Sequence, residues 1–217
     1  MPASIPEAEG DTPLLRQNDV DGNKRPWNGV DYTEFTEEHK KKIRAHYAGL
    51  VKGIDYEVGL ILESLQANGL LDNTIIIFAT DHADYLGDHN LIGKASFYET
   101  CMKIPMIVRM PSGQGTVSNE LVELRDVTAT MLRFARVDVP VNMDSQALPD
   151  LPVSDAAPRD RVFGLLTDGW MVYDGKWKLA KYATGESVLF NVEDARLEQI
   201  NLIRDSAASG GLARLDT

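Results

Sequence analysis

Apolar residues recur at Ile43, Tyr47, Leu50, Val51, Ile54, Val58, Ile61, Leu62 and Leu65. Steps of three, four and one place them on a single stripe of an α-helix. Thr36 stands where it can cap that helix, and Glu37 and Glu38 lie in the first turn, where carboxylates favour the dipole. Gly69 in "NGLLDN" is the expected left-handed residue at its end. The pattern then changes. "NTIIIFAT" and "KIPMIVRMP" set apolar residues side by side, which predicts strands near 74–80 and 103–109 buried on both faces, as in a parallel sheet. "SFYETCM" between them reads as a short helix, and "LRDVTATMLRFARV" as a longer one.

A Pro- and Asp-rich stretch, "VPVNMDSQALPDLPVSDAAPRD", separates this part from a run of short β-prone segments. These are "RVFGLL", "WMVYDGKWKLAKY" with a hairpin signal at Asp174-Gly175, and "SVLFNV". "ARLEQINLIRD" is the expected closing helix. The sequence therefore predicts an irregular N-terminal arm (1–32) and an α/β part with a partial, mostly parallel sheet and flanking helices (33–140). A linker (141–160) and a small antiparallel β lobe with a closing helix (161–217) follow. The arm contains "DVDGNK", but a calcium loop would need Gly at Lys24 and Glu at Val30, and Pro26 interrupts it. No calcium site is expected there.

The net charge of −11 argues against nucleic acid and anionic membranes as partners, because phosphate binding needs a basic surface. An anionic ligand remains compatible if a metal or a few basic groups make the pocket locally positive. No apolar run reaches membrane-spanning length. A single cysteine, Cys101, excludes an intrachain disulfide and suits a reducing compartment. The polar, acidic start lacks the features of a signal peptide, so a cytoplasmic location is expected. The same start would fit equally well if Met1 lay inside a longer ancestral chain.

Chemistry concentrates in "ATDHADYLGDHNLIGK", just past the first predicted strand. In open α/β sheets ligands bind outside the carboxyl ends of strands, where Asp81 and His82 emerge. A carboxylate and a neutral imidazole suit a divalent metal with oxygen-rich partners. Two adjacent ligands are too few for a tight site, so other parts must supply more. Lys94 adds a cation that can meet an oxyanion. Composition alone favours a solvated acidic loop whose Asp and His side chains cap nearby backbone.

The order of motifs from Tyr47 to Pro111 resembles the sulfatase family of the alkaline-phosphatase superfamily. The matching pieces are D-x-x-V-G (Asp55–Gly59), T-D-H (Thr80–His82), L-G-D-H (Leu86–His89), Lys94, Tyr98-Glu99 and the strand Ile104–Pro111. Asp81 and Lys94 are thirteen positions apart, as in that family. Downstream, "VELRDVTATMLRFARVDVP" and "DGKWKLAKY" through "VLFNVEDARLEQINL" resemble its later helix, closing sheet and tail. The resemblance covers about 36–202. It departs from the family at Ala83, Arg136 (both Gly there), Ala129 and Ala195 (both Pro there).

The resemblance implies hydrolysis of sulfate esters, with phosphonate or phosphate esters as the alternative substrates. It implies that Asp81 and His82 ligate a divalent metal, calcium first, with manganese or magnesium also possible. It makes Lys94 a contact to the sulfate group and places His89 in or near the pocket. The family nucleophile is a formylglycine made from Cys (or Ser) in C-x-P-x-R, and that motif is absent from this chain. Cys101 has Pro four and Arg eight positions on, and reads as a buried, inert thiol. The sequence thus looks like the C-terminal half of a sulfatase. It could be a fragment, one half of a split enzyme that pairs with an N-terminal half, or a non-catalytic metal- and anion-binding descendant. Exposed edges and apolar faces left by such a division favour association with another chain, self-association included.

Overall fold

The structure, a computed structural model, describes residues 3–6, 34–113, 115–193 and 197–216. Apart from residues 3–6, the expected irregular arm lies outside the described residues, and so does its "DVDGNK" stretch. The chain divides into two compact units, Met1–Gln114 and Gly115–Thr217. No helix among the described residues is long and apolar enough to cross a membrane.

The first unit is led by α1, Glu37–Ala67. It starts where the sequence predicts: the Thr36 side chain accepts a hydrogen bond from the His39 N–H. It ends on Gly69, at φ +67°. There the Leu70 N–H donates to Leu65 O and the Gly69 N–H to Gln66 O, a Schellman closure that satisfies two terminal carbonyls. Lys40 is the buried residue of this helix, and its predicted apolar stripe is largely exposed. After a 3-10 turn come β1, Ile76–Ala79, then the charged loop, the short helix α2, Glu99–Met102, and β2, Met106–Arg109.

β1 and β2 form a two-stranded sheet, and they pair antiparallel, with Ile76 opposite Arg109 and Ala79 opposite Met106. The α/β class and the small antiparallel lobe stand as expected, but these two strands do not run parallel to each other. A continuous apolar run carries no information about strand direction, and among the described residues β1 is half-buried throughout while Ile107 of β2 is exposed, short of the burial on both faces that was expected.

The second unit begins before the expected linker. α3, Asp126–Phe134, belongs to it, so the division falls at 114/115 and not within 141–160. The reason is the Asp126 carboxylate. It is buried and accepts from Arg159, from the Glu123 N–H at 2.8 Å and from the Gln146 N–H at 3.1 Å. The Leu148 N–H donates to Thr130 Oγ1 at 2.8 Å. The Pro- and Asp-rich stretch is therefore fastened to α3, with Ala147 and Leu148 buried.

Four strands follow in sequential antiparallel order: β3 (Val162–Leu166), β4 (Gly169–Tyr173), β5 (Trp177–Tyr182) and β6 (Ser187–Asn191). Asp174 caps the predicted hairpin turn, accepting from the Lys176 and Trp177 N–H groups. Val172, Leu179 and Leu189 from the sheet pack with Ala208 and Leu215 into one core. The closing helix, α4, is Ser209–Leu215, downstream of the stretch expected to form it. Residues 197–205 instead run alongside β6: Asn201 Oδ1 accepts from the Leu189 and Ile203 N–H groups, and the Leu202 N–H donates to Leu189 O. An Asn that satisfies backbone groups on both sides competes directly with helix formation.

Candidate active site

The loop between β1 and α2 is built as nested pairings. The Ala83 N–H donates to Cys101 O, the Tyr85 N–H to Gly93 O at 3.0 Å, and the Gly87 N–H to Leu91 O at 2.9 Å. Pairing Tyr85 with Gly93 returns the chain to its start and sets Lys94 beside His82. Tyr85, Leu91, Tyr98 and Cys101 form the small core beneath. Cys101 is buried within it, as expected for an inert thiol.

The loop tip is clamped to α1. Arg44 Nε donates to Leu86 O at 2.8 Å, and its Nη2 meets Asp88 Oδ1 at 2.5 Å. The same carboxylate oxygen accepts from the Ile5 N–H at 2.8 Å, and the His89 N–H donates to Ile5 O. Gly87 has φ +94°, and a Cβ there would lie 2.6 Å from the Lys40 Cγ. Both the backbone and the close approach of Lys40 therefore favour glycine.

Asp81, His82 and Lys94 come together. His82 Nδ1 lies 2.9 Å from Ala83 O. A carbonyl only accepts, so Nδ1 carries the proton and Nε2 presents its lone pair. That lone pair is directed at the Lys94 ammonium, which donates to it. Asp81 Oδ2 lies 3.3 Å from the same Nε2. Asp81's own backbone N–H, with smaller contributions from His82 and Lys94, holds its carboxyl below the usual range. The carboxylate is exposed and the imidazole half-buried. A carboxylate oxygen and an unprotonated imidazole nitrogen already facing a cation fit one edge of a divalent metal's coordination sphere. Among the described residues no third His, Cys, Asp or Glu joins them, so the set is partial.

His89 is placed differently. It is fully buried, in the left-handed region at φ +53°, with its ring stacked on Tyr98 at 3.5 Å between centroids and 15° between planes. It supports the loop from within and is not presented on the surface with the other three. Arg44 and Asp88, which hold the loop, carry no sequence signal of that role. A basic residue following Lys40, Lys41 and Lys42 reads as part of a solvated helix face.

The fold and this loop together define an α/β protein with Asp81, His82 and Lys94 gathered at the end of a strand. The comparisons make the class specific. A family model described as Sulfatase matches residues 16–137. The chain is 32% identical over 174 residues to an arylsulfatase of Clostridium perfringens, covering 75% of this chain and 36% of that protein. It is 29% identical over 172 residues to arylsulfatase K of Xenopus laevis, covering 71% and 32%. A solved phosphonate monoester hydrolase from Silicibacter pomeroyi shares the fold at a TM-score of 0.79 and 22% identity, over 99% of this chain and 48% of that one. This chain belongs to the sulfatase family of the alkaline-phosphatase superfamily. It spans about a third of the length of the curated relatives it matches.

Proposed function

We propose that the chain supplies one side of the active site of a metal-dependent hydrolase of sulfate esters. The observation that carries this reading is the convergence of Asp81, His82 and Lys94 at the end of β1, in a chain of the sulfatase family. Asp81 and the unprotonated Nε2 of His82 are the metal-holding groups, with calcium the first candidate and manganese or magnesium the others. The metal, when bound, would supply Lewis-acid charge next to the reacting ester. With a metal on Nε2, Lys94 would be released from that nitrogen to meet the sulfuryl oxygens, where charge grows as the S–O bond breaks. The His82–Ala83 hydrogen bond keeps the imidazole in the ligating tautomer, and the clamp on Asp88 keeps the loop, and with it Lys94, in register.

The C-x-P-x-R nucleophile motif does not occur in this sequence, and among the described residues the ligand set is partial. The purified chain is expected to show no aryl sulfate hydrolysis, with or without manganese. It should bind calcium, magnesium or manganese only weakly, on the order of millimolar, as sites with few charged ligands do. Asp81→Asn together with His82→Ala should remove that binding in calorimetry. Once the chain is reconstituted with a formylglycine-bearing portion, Lys94→Ala should slow the chemical step by about a hundredfold, the usual cost of one lost transition-state contact. Turnover by the chain alone, abolished by Lys94→Ala, would sink this reading. A phosphonate or phosphate ester is the second candidate substrate, favoured by the fold shared with the phosphonate monoester hydrolase. The ratio of sulfate to phosphonate ester turnover by the reconstituted enzyme decides between them.

A further inference from the structure

The loop between β1 and α2 gathers backbone conformations that L side chains rarely adopt. Among the described residues seven non-glycine residues have positive φ, and four of them fall here: Leu86 at +51°, His89 at +53°, Asn90 at +60° and Ala95 at +107°. Asn tolerates the left-handed region, but Leu, His and Ala enter it at a cost. Such residues persist where their surroundings over-determine them, and a cluster of them points to a use for the strain. Here the restraint comes from two segments outside the loop. Arg44 Nε donates to Leu86 O at 2.8 Å, fixing the peptide that follows one strained residue. Ile5 O accepts from the His89 N–H at 2.8 Å, fixing the peptide that precedes another. Between them, Asp88 Oδ1 accepts from Arg44 Nη2 at 2.5 Å and from the Ile5 N–H at 2.8 Å. The ion pair is largely shielded, with 13% of the Arg44 side chain and 18% of the Asp88 side chain accessible. Lys40, one turn before Arg44 on α1, packs its stem against Gly87, and its ammonium reaches Glu37 and Ser4. The loop tip is thus gripped by α1 and by residues 3–6 at once. Its position is passed on by the nested pairings, Gly87 with Leu91 and Tyr85 with Gly93, to Lys94, which follows Gly93 directly.

We infer that Arg44 is a positioning residue for Lys94: its guanidinium holds a strained loop shut, and without it the backbone at Leu86 and His89 relaxes and draws Lys94 away from His82. The inference rests on the reading that Lys94 meets the anionic group of an ester, and it adds which residue sets the reach of that ammonium. A lysine at position 44 could meet Asp88 as a point charge, but it lacks the planar fork that binds a carboxylate and a carbonyl together. A purely stabilising role for the ion pair predicts something else. Its loss would then be spread over α1 and the β1–β2 sheet, and Lys94 would stay beside His82 in every molecule that remains folded.

The test uses the full chain, with neither metal nor ester present, so a failure to hydrolyse esters bears on the proposed activity and leaves this result standing. NMR reads amide exchange over 86–94 and the nuclear Overhauser contacts between the Lys94 side chain and the His82 ring. Arg44→Met should speed exchange at 88–91 by about tenfold or more and abolish the Lys94–His82 contacts, while amides of the second unit keep their rates. Adding Leu86→Asn, which enters the left-handed region at lower cost, should restore part of the lost protection. Lys42→Met, an exposed position on the same helix, should change neither readout. If Arg44→Met unfolds the first unit, Arg44→Lys decides: it keeps a charge for Asp88, drops the bond to Leu86 O, and should still weaken the Lys94–His82 contacts. Contacts that persist in the folded variant while the tip exchanges fast overturn the inference, because the clamp then holds the tip alone. No recovery with Leu86→Asn overturns strain as the driving force.

Discussion

The two units treat their apolar residues in opposite ways. The second closes a core of its own: Val172, Leu179 and Leu189 lie under Ala208 and Leu215, and the buried Lys178 ammonium meets Glu198 at 2.7 Å. Among the described residues, the first leaves its longest apolar stripe in solvent and buries the Tyr85, Leu91, Tyr98 and Cys101 cluster beneath the charged loop. Among the described residues of the second unit, no three His, Cys, Asp or Glu side chains converge as a metal-holding set. One groove of about 650 Å³ is lined by Leu124, Phe163, Leu165 and Trp170, with Glu123 and Arg125 paired to each other. The first unit holds Asp81, His82 and Lys94.

The sharpest way to break that comparison is at the buried ion pair. Glu198→Ala removes the carboxylate at 2.7 Å from the buried Lys178 ammonium and should destabilise the second unit by about 3–5 kcal/mol, whereas Lys178→Met with Glu198→Leu should be close to neutral. Denaturant unfolding followed by Trp177 fluorescence measures both. An equal loss in the single and double variants would mean that the charges themselves hold the unit together.

Next, Leu189→Ala in the second unit should cost about 2–5 kcal/mol, because the site is fully enclosed. Leu50→Ala on α1 should change the stability of the isolated chain by no more than about 0.5 kcal/mol, as exposed positions do. A large loss from Leu50→Ala would show that the stripe is already covered in solution.

A finer contrast concerns two helix ends built alike. α3 closes with the Val137 N–H on Leu132 O and the Arg136 N–H on Arg133 O, the same closure that ends α1 at Gly69. Here the left-handed residue is Arg136, at φ +58°, standing where the family commonly has Gly. Relieving that strain with Arg136→Gly should raise the stability of the second unit by about 1 kcal/mol, and Gly69→Ala should lower that of the first by a similar amount. Differential scanning calorimetry reads both.

The smallest effect is at the start of α1. Hydrogen bonds from Ser4, then from Lys40, hold the Glu37 carboxyl at about 2 against an ordinary 4.5. Since the folded value is the lower one, the stabilisation is complete above about 4.5 and is lost as pH falls through about 2. Glu37 is largely exposed, so solvent screening keeps the effect small. Helix signal at residues 37–40, followed by NMR between pH 5 and 2, should decline in the native protein and stay flat in Glu37→Gln.

Much of the local structure was written in the sequence. The period of three and four fixed α1, Thr36 and Gly69 fixed its ends, and Asp174-Gly175 fixed a hairpin. Each is a property of a few adjacent residues and their own backbone preferences. The loop carrying Asp81, His82 and Lys94 was legible for a different reason: its residue types and spacing match a family. Three features were decided only in three dimensions. Strand direction in the β1–β2 sheet depends on which chain lies alongside, and a run of Ile and Phe reads the same either way. The boundary moved to 114/115 because Asp126 reaches Arg159 across 33 residues, a contact that no local pattern announces. His89 entered the core by stacking on Tyr98, although its neighbours in sequence, Asp88 and Asn90, are polar. Local chemistry could say that an imidazole was present, but only the packing decided that it would not face solvent.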